Sequence, residues 1–218
     1  MLFICSATAA EPDEDHHIKL TKEVVASGDI ISQFISGEPV RYDNVTISGS
    51  LELAELQGSL SQPVRITNSI FLGPVRFAAA SFDEPIDLQG CIFRDNVDFF
   101  GCRFAGGAGF AGVTFEGQAD LRNTYFGGQA SFLSAQFSED ASFRNSQFAG
   151  DGIFLNSSFA RDVDFDFAQF QRLASFADAR FVNVSFLETQ FGGHTSFLNA
   201  KFHGNAAFAA TRFAGSVV

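Results

Sequence analysis

From residue 77 to residue 213 a large apolar side chain returns every five or six residues. Phe77, Phe82, Leu88, Phe93, Phe99 and Phe104 open the series, and Phe197, Phe202, Phe208 and Phe213 close it. The steps alternate five and six, so the true repeat is eleven; only Phe181 to Phe186 is five where six is due. Of 29 phenylalanines, 24 sit on this beat. A short fixed period of this kind predicts a solenoid, in which each repeat buries its apolar face only by stacking on its neighbours. A helix is excluded, because a step of five or six drifts around a 3.6-residue turn and makes no stripe.

A second position follows the same beat. Two residues before each phenylalanine the chain is small or apolar, as at Ala130, Ala141, Ser146, Val163, Ala174 and Thr195. A spacing of two puts both residues on one face of an extended strand and turns the residue between them outward. Those outward residues are mostly polar: Ser131, Ser142, Gln147, Asp164, Gln169, Arg180. Each unit therefore reads as a very short strand, small-polar-Phe, followed by a turn rich in Gly, Asn and Asp. The rings are core, not stacking platforms for nucleic-acid bases, since they face inward and the chain is acidic.

Segments such as ASFLSAQF (130–137) and TSFLNAKF (195–202) resemble the pentapeptide-repeat family, with Phe in place of the usual central Leu and an extra residue in every second unit. The stretches GEPVRYDNVTISGSLELAEL (37–56) and PVRITNSIFLGPVRF (63–77) look like entry coils of a Phe-rich branch of it. The resemblance covers residues 37–216. It implies an all-β solenoid: a right-handed quadrilateral β-helix with about 22 residues per coil and four short strands in each. Eight coils at the usual strand spacing would make a rod about 40 Å long. A flatter solenoid with eleven residues per coil is the competing geometry, and Cys91 and Cys102 separate the two. Eleven residues apart at the inward small position, they would stack directly in the flat form but face each other across the core in the quadrilateral one, which we favour.

The remaining segments read as follows. Residues 1–10 (MLFICSATAA) look like the end of a secretory signal, apolar and then small, though without the positive start. Export to the periplasm or beyond is the expectation, with the cytoplasm as the alternative if that reading fails. Cys5 follows Ile4 and makes a poor lipidation site. Residues 11–17 (EPDEDHH) read as a polar linker. Residues 18–37 carry a weak helical pattern, with Ile30, Ile31, Phe34 and Ile35 on one face, Asp29 placed to cap the start and Gly37 the end. This helix should cover the first coil, ahead of a repeat domain over 38–216. Between Leu53 and Ile66 the beat is irregular, which predicts a small protruding loop.

The net charge of −11 is uneven. Residues 67–166 hold 13 acids and 6 bases (−7), while residues 167–218 hold 2 acids and 4 bases (+2). This argues against direct nucleic-acid binding, which needs a basic face. The sequence has no apolar run long enough to span a membrane. Catalytic, cofactor and metal residues are expected to be none. His194 and His203 sit at turns without a third ligand, and no GxSxG elbow occurs. Asp87, Asp98, Asp120 and Asp164 hold the outward central position, where they read as a solvated acidic face on a flat wall. AGGAGFAG (105–112) lies on the beat and lacks the following helix of a phosphate loop. Asn44, Asn156 and Asn183 head glycosylation sequons.

The expectation for function is therefore a non-enzymatic scaffold that binds a protein partner not named by the sequence. Two alternatives follow from the resemblance: a DNA mimic that binds a topoisomerase, and a sensory domain detached from an ion channel. The last coil should be bare, so a homodimer through that end is also expected.

Overall fold

The computed structural model describes residues 22–53 and 58–218. They form a parallel β-solenoid whose walls are built from strands of mostly two residues. One coil shows the plan. Ile86–Asp87, Ile92–Phe93, Val97–Asp98 and Arg103–Phe104 lie on four successive walls, and Ala108–Gly109 then pairs in parallel with Ile86–Asp87. Ile86 opposes Ala108, a register of 22. We call these the first to fourth walls; the first holds eight strands, one per coil.

The alternation of five and six has a backbone cause. At the corners between first and second walls, and between third and fourth, only two residues separate the inward positions. There the chain turns in four residues closed by a backbone bond, such as Cys102 N–H to the Phe99 carbonyl at 3.0 Å. The third residue of that turn, Gly101, has φ 66°, and its counterparts Gly90, Gly112, Asn123 and Asn145 lie between 57° and 68°. This left-handed residue recurs every eleven positions, and Gly and Asn adopt it most readily. The other two corners hold three residues and need no such conformation, which gives the six-residue step.

The missing residue falls in one of the wider corners. Ser158 opposes Arg180, a register of 22, but Val163 opposes Val184, a register of 21. The chain cuts that corner as a continuous strand, Arg180–Ser185, and Phe186 remains fully buried. Stacking resumes at once, with Phe165 and Phe186 ring centroids 5.1 Å apart.

Inside, the rings stack along the rod in columns, as Phe110, Phe132 and Phe154 do at 4.9 Å per step. Rings from different walls meet edge to face, as Phe132 and Phe143 do at 5.2 Å and 86°. Such pairs add about 0.5–1.5 kcal/mol each beyond the area they bury. The column also extends upstream of Phe77, since Phe71 stacks on Phe93 at 4.5 Å.

The start of the solenoid departs from the sequence reading. A strand, β1 (Glu23–Ala26), pairs with Val45–Ser48 before helix α1 (Ser27–Ser36) begins, inside the stretch 18–37 read as helix. Asp29 does not cap α1: it lies in the first turn, and Ala26 at the cap position makes no side-chain bond. Gly37 does end the helix, at φ 73°. Ile30 and Phe34 are buried over the first coil, with Phe34 edge-on to Phe77 at 6.1 Å, whereas Ile35 is 68 % exposed. The small loop expected between Leu53 and Ile66 falls in part on residues 54–57, outside the described residues. Ser59–Leu60 and Val64–Thr67 are strands of the fourth and first walls. Leu51 to Ser59 is eight residues where Val75 to Ser81 is six. The two extra residues fall on a stretch that includes 54–57, outside the described residues.

At the other end Phe202, Phe208 and Phe213 are 38–40 % exposed. The residues after Phe213 extend one wall. Val217 bridges Thr195 in parallel, and Phe197 N–H donates to the Val218 carbonyl at 2.7 Å. They continue the first wall without covering the rings.

Candidate binding site on the third wall

The polar residues facing inward have a shared task. Thr124, Ser146 and Thr189 are buried just after the tight corners, and each donates to a carbonyl of the preceding coil, at Phe99, Leu121 and Phe165, over 2.8–2.9 Å. Cys102 holds the same place and donates from Sγ to the Phe77 carbonyl at 2.9 Å; Cys91 does so to Ile66 at 3.0 Å. Both cysteines are free and buried, on different walls, as the quadrilateral form requires. Burial pushes each thiol up to about 12. These are structural groups, not nucleophiles.

The outward aspartates also have a structural task. Asp98, Asp120 and Asp164 each accept, through Oδ1, the backbone N–H two residues on, at 2.7–3.0 Å. The carboxylate thereby holds the tight corner that follows, an Asx-type turn. Ser142 occupies the same column between Asp120 and Asp164. Asp87 makes the equivalent bond to Gln89 but stands on the first wall, away from the other three.

The third wall is not flat, contrary to the sequence reading. A shallow trough of about 660 Å³ runs along it from Asp120 to Ala207. Its floor is the outward column Asp120, Ser142, Asp164, Ser185 and Ala207. One rim is the tight corner, carrying Arg122, Arg144 and Asp166. The other is the wide corner, carrying Gln118, Asp140, Asp162, Asn183 and Asn205. Small floor residues between long rim residues make the hollow, and no residue-by-residue pattern in the sequence signals it.

The rim on the tight corner is saturated. Arg122 grips Asp120 at 2.6 Å, and Arg144 binds Asp166 at 2.9 Å and approaches Asp164 at 3.7 Å. Asp166 is nearly buried and also accepts from Ser185 Oγ and the Leu187 amide. Burial, with the neighbouring Asp166 charge, pushes the Asp164 carboxyl above its ordinary range. The wide-corner rim is a ladder between coils. Asp162 N–H donates to Asp140 Oδ1 at 3.3 Å, Asn183 Nδ2 to Asp162 Oδ1 at 2.8 Å, and Asn205 N–H to Asn183 Oδ1 at 2.8 Å.

The other flagged residues do not converge. His194 Nδ1 contacts Ser216 Oγ at 2.7 Å, and His203 is exposed elsewhere. No group of three or more His, Cys, Asp or Glu among the described residues is placed to hold a metal. Asn183 is tied into the rim, and Asn156 donates to Ser134 Oγ at 3.1 Å. Ala108 and Phe110 of the glycine-rich stretch are wall and core. No helix among the described residues is long and apolar enough to cross a membrane. The leader-like residues 1–10, Cys5 and the linker 11–17 lie outside the described residues.

A family model described as pentapeptide repeats (9 copies) matches residues 59–103, 77–124, 110–158, 121–169 and 154–201. These overlap into one stretch, 59–201, or 143 of 218 residues. Among curated proteins, none matches this chain.

Proposed function

The chain belongs to the pentapeptide-repeat family, and from that premise we propose that it is a non-enzymatic scaffold that binds a protein partner on its outer walls. The observation that carries this reading is the core: the inward rings on the beat from Phe99 to Phe186 are all buried and stack in columns, with small residues filling the gaps. A core packed in this way favours recognition by surface shape and charge over enclosure of a small substrate. Photo-crosslinkers placed one per wall, at Ser175, Gln136, Ser142 and Gln147, test it in extracts of the native source. One protein retrieved repeatedly from a single wall is the expected result; retrieval from no wall, or turnover of a small molecule by the purified rod, counts against it.

DNA mimicry has one observation in its favour, the stacked acids Asp98 over Asp120 and Asp140 beside Asp162. A topoisomerase supercoiling assay unchanged by the purified protein would remove it. We also infer that two copies meet through the coil that exposes Phe202, Phe208 and Phe213, because those rings leave apolar surface for a like face to cover. Light scattering should show a dimer that a charge at Ala209 dissociates. On the reading of residues 1–10 the protein acts outside the cytoplasm, which fractionation of cells expressing the full reading frame would test.

A further inference from the structure

The wide-corner rim of the trough carries more charge than its wall requires. Its task is to link one coil to the next, and amides do this alone elsewhere in the column. Asn96 Oδ1 accepts from Gln118 N–H at 2.9 Å, and Asn183 Oδ1 from Asn205 N–H at 2.8 Å. Asp140 Oδ1 accepts the Asp162 backbone N–H in the same way, at 3.3 Å, while Asp162 Oδ1 accepts from the Asn183 side-chain amide at 2.8 Å, a bond that a neutral amide oxygen could also accept. Their negative charges therefore serve nothing in the ladder.

The trough supplies no cation for them. Its lining holds five carboxylates and two guanidiniums, a net of −3. Both guanidiniums are engaged, Arg122 by Asp120 and Arg144 by Asp166 and Asp164. Asp140 and Asp162 enter no ion pair among the described residues. Their bonded Oδ1 atoms fix each carboxylate in place, so little side-chain freedom remains to be lost when a cation arrives.

We propose that the third-wall trough is a docking surface for a partner segment bearing basic side chains, with Asp140 and Asp162 as its charge anchors. This rests on the scaffold reading and names the wall and the chemistry of the partner. The hollow admits a chain segment, the anchors on neighbouring coils receive successive ammonium or guanidinium groups, and the Ser142 hydroxyl on the floor is placed to bond its backbone.

The test uses the full chain and a short synthetic peptide alternating serine with lysine. Two double variants remove equal charge: Asp140→Asn with Asp162→Asn in the trough, and Asp87→Asn with Asp151→Asn away from it. Asparagine keeps the ladder bonds, and thermal melts verify that both variants fold. The trough variant should bind the peptide about tenfold more weakly, the control should bind like the parent, and added salt should weaken the parent. Equal loss in both variants, no loss in either, or no binding by the parent overturns the proposal. So does binding of spermine where the peptide fails, since the trough would then be a site for small polycations. The wall-by-wall crosslinking is independent: a partner retrieved through Gln136 or Gln147 would keep the scaffold and discard the trough.

Discussion

The rings of Phe143 and Phe165 lie one coil apart with centroids 4.8 Å apart and planes 7° from parallel. Phe143 also meets Phe132 and Phe154 edge-on at 5.2 Å, so it is held on several sides by rings that are themselves held. Such a site cannot collapse when emptied. Phe143→Ala should cost about 3–5 kcal/mol in denaturant melts. Its outward neighbour Ser142 should accept Asn within about 0.5 kcal/mol. Equal losses at the two positions would contradict the assignment of inside and outside.

Gly101 isolates the cost of the tight corner. Its φ is 66°, yet a Cβ there would meet only the Ala79 Cα, at 4.0 Å. Any penalty for a side chain is therefore conformational, not steric. Gly101→Val should cost about 2 kcal/mol, since a β-branched residue resists the left-handed region. Glu188→Gly, at φ 54°, should be neutral or stabilising by up to about 1 kcal/mol. Thermal melts of the two variants should move in these different directions.

The inward triplet was legible because small-polar-Phe repeats often enough to fix strand, face and coil together. The tight corners were half legible. Gly90, Gly101, Gly112, Asn123, Asn145 and Asn156 fall eleven or twice eleven apart, but Ala79, Ser134, Phe167 and Glu188 hold the same conformation and hide the rule. There the register imposed by neighbouring coils overrides local preference. Strand β1 escaped because Glu23–Ala26 is short and runs straight into a helix; only its pairing with Val45–Ser48 reveals it. The trough was illegible for a further reason. It depends on the relative height of side chains 21 or 22 residues apart, so the isolated carboxylates looked like a solvated flat face.

Cys102 tests whether the buried donor column is a matter of hydrogen bonding. Thr124 does the same task one coil on, so Cys102→Thr should cost less than about 1.5 kcal/mol. Cys102→Ala gives up both the bond and some volume and should cost more. Neither Cys91 nor Cys102 should react with a thiol reagent at neutral pH until the chain unfolds. Both thiols are pushed from 9.0 to about 12 in the fold, so the unfolded chain loses these protons first as pH rises. Their contribution is intact below pH 9 and is lost between 9 and about 12. Melting temperatures that hold steady through that range would show that the thiols are hydrated.

Asp164 gives a prediction at the opposite end of the pH scale. Its carboxyl is raised by burial first and by Asp166 second, while Arg144 pulls it down. A raised carboxyl binds its proton more tightly in the fold than in the unfolded chain. Its ionisation therefore costs stability at neutral pH, and that cost disappears as pH falls through the carboxylate range. Asp164→Asn retains an oxygen to accept the Asp166 amide and removes the charge. The variant should match or exceed the parent at pH 7, by up to about 1 kcal/mol given partial solvent screening. The advantage should vanish at pH 3, where the parent is protonated too. Asp166→Asn should instead lose stability at pH 7, because it removes the better-placed partner of Arg144, at 2.9 Å against 3.7 Å. If both variants lose stability alike at pH 7, burial and the Asp166 charge do not outweigh Arg144 at Asp164.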